Sequence, residues 1–496
     1  MRLLFVNPPL PAGASCPWYL REENHAGPDS TPMAPHFGPA VLGCVRAAFR
    51  GPLEVKVMDG LLEGFSPEGL AQVAREWGAD AAFVLLGLDY LEHDARFAEL
   101  PCPTLAQICP VTVDPAEAVA LYALKVPYLI FGGETEMTVA AALNELTETG
   151  RIEHTPGVFI NREGEVRRPT GAPQPSDMGA YPLPAYDLFN IPAYLARQTA
   201  QEQRTQYHYS AFVKTMKGCL FQCVFCTCSS PGQQARCKGA AQVIEEIKLL
   251  AARYGFRRFV FLDSEFGVSL ARAKDICRRL IESGLGVSFL VNNRIDLMDA
   301  ELVGLMKAAG CELVRYGIES ADPKVMARIN KRVDLERAAK AIRLTRAAGI
   351  QVNLFFLVGL PGEDAQTPRL NARFIIDNQA DSYSMGRLFL IPNTALYRQL
   401  KEEGRLLARD WQRYRRGDDY QFRHDYYRDL RHIKRAEREL LNAVNRARLT
   451  SYRMGRLNER LYAFISSFGL FSIHAKERLP RLYYFCKGAL KKVLNA

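Results

Sequence analysis

Residues 217–226 read KGCLFQCVFC, which places three cysteines within eight positions. Three residues separate Cys219 from Cys223 and two separate Cys223 from Cys226, with Phe225 just before the last cysteine. Thiolates at such short spacings are typical of zinc and iron–sulfur sites. A structural zinc site needs four protein ligands, whereas an iron–sulfur cube held by three cysteines leaves one iron free to bind something else. The odd ligand count therefore favours a cube.

The composition is that of a soluble protein in a reducing compartment. The chain has 496 residues, of which 48% are hydrophobic and 24% are charged, values ordinary for globular proteins. Its start, MRLLFVNPPL, lacks the apolar core of a signal peptide, and no run of about eighteen apolar residues occurs. We therefore expect a cytoplasmic location, where clustered cysteines hold metal or act in catalysis more often than they form disulfides.

The first 150 residues alternate strand-like and helix-like segments. Four apolar runs predict buried strands: 3–6, 53–58, 81–86 and 126–131. A helical pattern over 68–77 separates the second run from the third. This βαβ order predicts a Rossmann-like domain with a mostly parallel sheet over residues 1–150. The polar, proline-rich residues 151–205 are interpreted as a linker.

A second alternating array over residues 206–400 predicts a partial (β/α)6 barrel, whose chemistry would lie in the loops that follow the strands. Its strand candidates are 259–262, 287–291, 313–316, 352–358 and 386–391. Its helix candidates include 241–254, 271–283, 300–309 and 335–348. The overall fold class is therefore α/β, followed by a helical, basic extension over 401–496.

The positive charge lies in that extension. Residues from 401 onward contain 23 Lys and Arg against 11 Asp and Glu, a net charge of +12, so the first 400 residues carry −2. Acidic residues are interleaved with the arginines and tyrosines of 413–429, which predicts a solvated surface and no nucleic-acid partner. The apolar segment 461–493 has basic flanks, so either packing against the barrel or peripheral contact with an anionic membrane stays open.

The cysteine triad, with Phe225 before its last member, resembles the signature of the radical S-adenosylmethionine (radical SAM) superfamily. The resemblance implies that Cys219, Cys223 and Cys226 hold a 4Fe–4S cluster whose free iron binds SAM. In that family, one-electron reduction of the cluster cleaves SAM to a 5′-deoxyadenosyl radical, while the protein orients and shields the cofactors. The alternative is a zinc knuckle or a set of incidental thiols. It is disfavoured because the triad stands at the start of the barrel pattern.

The resemblance continues to the GLPGE stretch at 359–363 and implies SAM-binding positions at successive strand ends. The segment 263–265 matches the place where the family contacts the SAM amino group. The segments 293–294 and 319–320 match positions near the ribose and carboxylate, and the backbone near Val358 matches the adenine site. The implied cofactor-binding residues are Phe225, Asp263, Ser264, Glu265, Asn293, Arg294, Glu319, Ser320 and Val358.

The linker motif LPAYD and the motif GLPGE resemble those of a branch of the superfamily that carries an N-terminal cobalamin-binding domain. Many members of this branch methylate unactivated carbon. The family's DxHxxG signature would fall at residues 59–64, where Leu61 replaces the histidine. The stretch 91–115 shows no GGPH-like loop, and its prolines predict a break in regular structure. Cobalamin binding is therefore left open, and the first domain could be a degenerate scaffold.

The resemblance implies an enzyme that abstracts hydrogen from a small, natural-product-like substrate, with an electron donor such as flavodoxin or ferredoxin. With cobalamin the outcome would be C-methylation, and without it dehydration, epimerisation or rearrangement. A non-radical alternative is a cluster- or zinc-binding regulatory protein. No catalytic side chain is assigned, and the substrate and oligomeric state are not specified by these residues.

Overall fold

The computed structural model of the protein describes residues 1–11, 34–109, 113–200, 210–229, 234–407, 411 and 420–451. The apolar segment 461–493, for which barrel packing and membrane contact are the alternatives, lies outside these residues. The chain divides into two compact units. The first comprises Met1–Gly317, Leu344–Val352 and Phe389–Arg423, and the second comprises Ile318–Arg343, Asn353–Leu388 and His424–Ala496.

The first unit begins with a seven-stranded sheet. Its strands are β1 (Arg2–Asn7), β2 (Glu54–Asp59), β3 (Ala81–Gly87), β4 (Thr104–Cys109), β5 (Tyr128–Ile130), β6 (Val158–Arg162) and β7 (Glu165–Arg167). They lie in the order β2-β1-β3-β4-β5-β6-β7. The first five pair in parallel, and β6 and β7 join in antiparallel fashion. The Rossmann-like topology predicted from the sequence is thus confirmed, and the sheet continues to Arg167.

Five helices of this part of the chain are α1 (Phe37–Ala48), α2 (Pro67–Trp77), α3 (Leu91–Ala95), α4 (Pro115–Tyr122) and α5 (Thr135–Thr149). Their ends follow local chemistry. The Ser66 side chain accepts the Gly69 N–H at the start of α2, and Gly78 ends that helix at φ +67°. Asp114 caps α4 in the same way, with Pro115 at the first helical position.

The predicted break over residues 91–115 is wrong. This stretch contains α3, then β4, then the start of α4, and every residue of β4 is buried. Pro103 directly precedes the strand and lies outside it. The Pro103 carbonyl accepts the Ala82 N–H of the neighbouring strand, so this proline marks the start of β4 without removing a hydrogen bond from its interior.

The predicted strand–helix repeats of the barrel are also found. The strands are β8 (Ser210–Val213), the short pair β9 (Met216–Lys217) and β10 (Arg236–Cys237), β11 (Arg258–Phe261), β12 (Ser288–Asn293), β13 (Cys311–Glu319), β14 (Gln351–Val358) and β15 (Ser382–Arg387). In the first unit β8, β11, β12 and β13 pair in parallel in that order. In the second unit β14 pairs in parallel with β15. The last strand was predicted four residues too late, at 386–391.

The remaining helices are α6 (Ile191–Ala200), α7 (Ala240–Tyr254), α8 (Leu270–Ser283), α9 (Ala300–Ala308), α10 (Pro323–Arg328), α11 (Leu335–Ala347), α12 (Thr367–Asp377), α13 (Ala395–Glu402) and α14 (Leu430–Ser451). Within the second unit α12 packs against α14. None of the helices in the described part of the chain is both long and apolar enough to cross a membrane.

A buried charged cluster joins three parts of the first unit. The Glu246 carboxylate of α7 accepts the Lys238 ammonium at 2.7 Å and the Tyr186 hydroxyl at 2.9 Å. The His36 ring lies 3.5 Å from the same carboxylate. Burial alone would raise the pKa of Glu246, but Lys238 and His36 lower it to about 2.

The free energy of unfolding is expected to depend on Glu246 through pH. Its pKa is lower in the folded chain than in the unfolded chain, so its stabilisation is complete above about pH 4.5 and is lost as the pH falls towards 2. The free energy of unfolding of the wild type should exceed that of Glu246→Gln by about 3 kcal/mol at pH 7. This difference should shrink at pH 3. Urea unfolding of both proteins at each pH measures it. A difference in unfolding free energy that is the same at pH 7 and pH 3 would contradict the lowered pKa of Glu246.

Candidate functional site

The three triad cysteines lie on one loop, described here over residues 218–229, that leaves the barrel after β8 and β9. Antiparallel pairing of β9 with β10 closes the base of this loop, with Lys217 directly opposite Arg236. The Cys226 N–H donates to the Cys223 carbonyl at 3.0 Å, and the Leu396 N–H donates to the Val224 carbonyl at 2.8 Å. The loop is therefore tied both to itself and to the start of α13.

The chemistry of these side chains suits an iron–sulfur cluster. All three cysteines are free thiols, and each is at least half-buried. Burial raises the pKa of Cys219 to about 12, and the charges of Glu265 and Cys223 add to the rise. Within the described residues no three His, Cys, Asp or Glu side chains surround one point tightly enough for a single metal ion. A cube places each thiolate on a different iron, so it does not require such a point.

Asp263, at the end of β11, is fully buried beneath the start of the cysteine loop. One carboxylate oxygen accepts the backbone N–H groups of Thr215 at 2.7 Å and Met216 at 3.0 Å. The other accepts the Thr215 hydroxyl. Burial raises the pKa of Asp263, and Arg272 with these donors opposes the rise. The structure therefore shows Asp263 holding the chain that enters the loop, while its contact with SAM stays a prediction.

Glu265 and Arg294 meet beside the cysteine loop. The Glu265 carboxylate accepts the Arg294 backbone N–H, and the guanidinium of Arg294 forms two bonds to Asp296 at 2.8 and 2.9 Å. The same guanidinium stacks on Phe221, 3.7 Å from the ring centre. The sequence reasoning missed Phe221. The sequence signal for Phe221 is an aromatic residue between the first two triad cysteines, whereas the family resemblance points only to Phe225.

Two further predicted residues lie at these strand ends. Ser264 contacts the Cys228 thiol, with 3.1 Å between the oxygen and the sulfur. Asn293 is buried, accepts the Gly267 N–H at 2.8 Å and reaches the Met298 sulfur at 2.9 Å. Phe225 is half-buried on the loop. The first unit thus brings the cysteines, Ser264, Glu265 and Arg294 to one edge, whereas Asn293 is engaged in local structure.

The second unit contains the rest of the predicted positions. Glu319 adopts φ +65°, a left-handed conformation that costs a non-glycine residue roughly 1–2 kcal/mol. Its carboxylate pairs with the largely buried Lys331 ammonium at 2.9 Å. Such strained positions concentrate at functional sites. Ser320 is buried and contacts Asn371 at 3.3 Å, so its side chain supports the loop that follows β13.

Val358 ends β14 and is followed by the GLPGE turn. Gly359 has φ +90°, a conformation that glycine adopts without strain. The Glu363 carboxylate accepts the Gly359 N–H at 2.9 Å, the Leu360 N–H at 3.1 Å and the Tyr427 hydroxyl at 2.7 Å. Burial raises the pKa of Glu363 to about 7, and these three bonds oppose the rise. The turn beside Val358 is therefore held in one conformation.

The carboxyl edge of the first sheet is where ligands bind in open α/β sheets, and it contains the residues on which the cobalamin question depends. Asp59 ends β2, and its carboxylate accepts the Asn7 amide at 2.9 Å, the Tyr194 hydroxyl at 2.5 Å and the Leu61 N–H at 3.3 Å. Leu61, where the family signature has histidine, is buried. Arg197 of α6 donates to the carbonyls of Leu61 and Leu62. This edge offers no protein ligand for cobalt at position 61, so the histidine mode of cobalamin binding does not fit.

The family model described as "Radical SAM superfamily" matches residues 213–375 of this chain. A relative named an uncharacterized methyltransferase, from Pyrococcus horikoshii, is 24% identical over 381 residues, which cover 76% of this chain and 81% of the relative.

Two solved structures share the fold. The radical S-adenosylmethionine methyltransferase TsrM from Kitasatospora setae, solved with tryptophan and a SAM analogue, is similar with a TM-score of 0.64 and 18% identity over 81% of this chain and 76% of that one. The cobalamin-dependent S-adenosylmethionine radical enzyme OxsB, solved with aqua-cobalamin, gives a TM-score of 0.67 and 13% identity over 100% of this chain and 71% of that one. Residues 213–375 therefore match the radical SAM superfamily, and the chain shares its fold with these two S-adenosylmethionine enzymes.

Proposed function

We propose that Cys219, Cys223 and Cys226 hold the 4Fe–4S cluster that the superfamily implies. The observation that carries this proposal is the gathering of three free thiols on one loop at the carboxyl edge of the barrel strands. Active sites of such barrels lie at this edge. When bound, the cluster supplies the electron that cleaves SAM to a 5′-deoxyadenosyl radical.

The residues around the triad suit the polar groups of SAM. Ser264 offers a hydroxyl, and Glu265 offers a carboxylate for the SAM amino group. The Arg294 guanidinium, held against Phe221 and Asp296, offers a fixed positive charge for the SAM carboxylate. Because these side chains are anchored by neighbouring bonds, they bind and orient the cofactor with little loss of rotamer freedom.

The reaction that we propose is C-methylation of a small molecule through abstraction of hydrogen from carbon. Support comes from the methyltransferase named among the sequence relatives and from the fold shared with TsrM. The catalytic part of the chain carries almost no net charge, which favours a small substrate over nucleic acid. A flavodoxin or ferredoxin is proposed as the electron donor, and a cytoplasmic location accords with both.

A second outcome is favoured by one observation. The cobalt-ligating position is occupied by buried Leu61, and the Asp59 carboxylate is engaged by Asn7 and Tyr194. A first domain that has become a scaffold would leave the substrate radical to dehydrate, epimerise or rearrange. Any corrin that is retained would have to bind without a ligand from residue 61.

The two outcomes differ in what becomes of SAM. Protein reconstituted anaerobically with iron and sulfide is incubated with SAM, dithionite, hydroxocobalamin and the low-molecular-weight fraction of a bacterial extract. Methylation consumes a methyl group, so we expect S-adenosylhomocysteine to form together with 5′-deoxyadenosine, both followed by mass spectrometry. SAM labelled with deuterium in its methyl group identifies the methylated product by its mass.

Two other results of the same assay would favour a different function. Deoxyadenosine without S-adenosylhomocysteine, and with no corrin retained after gel filtration, would favour dehydration or rearrangement. A protein that forms the cluster but neither binds nor cleaves SAM would contradict radical chemistry and support the regulatory alternative.

A further inference from the structure

Two buried ion pairs join the base of the cysteine loop to the turn that precedes α5. The cations are Lys217 and Arg236, which face each other across the β9–β10 ribbon at the two ends of the loop. The carboxylates are Glu134 and Glu136, two residues apart at the start of α5. The paired side chains are 5–13% exposed, so water screens these charges little.

The first pair is Lys217 with Glu136. The Lys217 ammonium donates to the Glu136 carboxylate, to the Gly133 carbonyl at 2.9 Å and to the Tyr181 hydroxyl at 3.4 Å. All three donor positions of the ammonium therefore have partners in the described residues. The ammonium also lies over the Tyr181 ring, 5.1 Å from its centre. Cys219 follows Lys217 by two residues, so this contact lies beside the first triad cysteine.

The second pair is Arg236 with Glu134. The Arg236 guanidinium contacts one carboxylate oxygen and also donates to the Ser176 carbonyl at 3.1 Å. The other carboxylate oxygen accepts both the N–H, at 3.0 Å, and the hydroxyl of Ser176. Ser176 in turn meets the Tyr181 hydroxyl at 2.5 Å, which links the two pairs. Burial alone would raise the pKa of Glu134, but Arg236 and Ser176 lower it.

Buried ion pairs of this kind contribute little net stability, because desolvation offsets their attraction. Removing one partner is strongly destabilising, because it leaves the other charge buried and unpaired. Their geometric demand is high, since every donor and acceptor must stay in place. Here the cations stand at both ends of one loop, and the carboxylates stand on one helix turn. The arrangement fixes where the loop starts and ends relative to the first sheet's domain.

We propose that the set Lys217, Arg236, Glu134 and Glu136, here called the loop clamp, positions the cysteine loop so that its thiols present one fixed geometry to the cluster. This inference rests on the proposed function in so far as the triad holds that cluster. The members of the loop clamp are positioning residues and not catalytic ones, because their charges are satisfied by one another, by Ser176 and by Tyr181.

The test compares Glu136→Gln and Glu134→Gln with a matched control on the same helix, Glu145→Gln. Glu145 also accepts several hydrogen bonds, from Glu153, His154 and Thr155, and within the described part of the chain none of its hydrogen bonds is with the cysteine loop. Hydrogen exchange of the metal-free proteins is followed by mass spectrometry. We expect exchange at 216–218 and 236–238 to speed up by about tenfold or more in the loop-clamp variants and to stay unchanged in the control.

The reconstituted proteins provide a second readout. SAM changes the electron paramagnetic resonance spectrum of a reduced cluster when it binds the free iron. We expect this change to be weakened or heterogeneous in Glu136→Gln at equal iron content, and intact in Glu145→Gln. If Glu136→Gln fails to fold, Lys217→Met with Glu136→Gln removes both charges, leaves no buried ion unpaired and should fold with the same fast exchange.

The outcomes separate the two proposals. The loop clamp would be overturned if hydrogen exchange at 216–218 and 236–238 were as slow in both loop-clamp variants as in the wild type. It would also be overturned if Glu145→Gln sped up this exchange equally. A wild-type protein that takes up no cluster would overturn the proposed function, and the exchange rates of the metal-free proteins would still decide whether these pairs hold the loop.

Discussion

Cys223→Ala is expected to abolish cluster assembly and to lower 5′-deoxyadenosine formation by at least about 10³-fold, as when an indispensable catalytic group is removed. Cys223 is the most buried of the three thiols and lies between the other two in the loop. Two remaining cysteines cannot hold a cube that already has only three protein ligands. Iron and sulfide content, the visible absorbance of the cluster and deoxyadenosine per chain measure the result.

The matched control is Cys237→Ala. Cys237 is half-buried at the end of β10, just beyond the same loop, but it is not part of the triad. It should keep its cluster and its activity within about threefold of wild type, since an alanine replaces a small side chain at a partly exposed position. Deoxyadenosine formation that survives in Cys223→Ala, or that disappears equally in Cys237→Ala, would rule out the proposed ligand set.

Periodicity located most strands because most strands of the two sheets pair in parallel and are buried, and such strands are continuous apolar runs. It failed at β4, because the four prolines of the surrounding stretch predict breaks in regular structure where a strand forms. Proline ends a strand as readily as it interrupts one, and only tertiary pairing tells which occurs. It also misplaced β15, whose sequence SYSMGR is more polar than the apolar residues that follow it.

The triad could be read from the sequence because its three ligands are close together along the chain. The loop clamp could not, since its carboxylates lie about eighty to one hundred positions before its cations and each residue alone is an ordinary surface type. The same limit applies to Asp59, whose partner Tyr194 lies 135 residues away. Contacts of this kind depend on how the sheet and the barrel meet within the first unit.

Asp263→Ala is expected to be the most damaging substitution outside the triad. It would leave the buried N–H groups of Thr215 and Met216 without their acceptor and the Thr215 hydroxyl without its partner. We expect a loss of about 3 kcal/mol in the free energy of unfolding, together with faster loss of iron to a chelator. Thermal unfolding of the metal-free protein and iron release from the reconstituted one measure these effects.

The comparison that decides the role of Asp263 is Asp263→Asn. The amide oxygen can still accept the two backbone N–H groups, so the free energy of unfolding should fall by only about 1 kcal/mol and the cluster should be retained. The negative charge is lost in both variants. If Asp263 instead binds the SAM amino group, as the family resemblance implies, Asp263→Asn would weaken SAM binding as strongly as Asp263→Ala does. Equal SAM affinity in wild type and Asp263→Asn would instead show that this carboxylate acts by holding the chain that enters the cysteine loop.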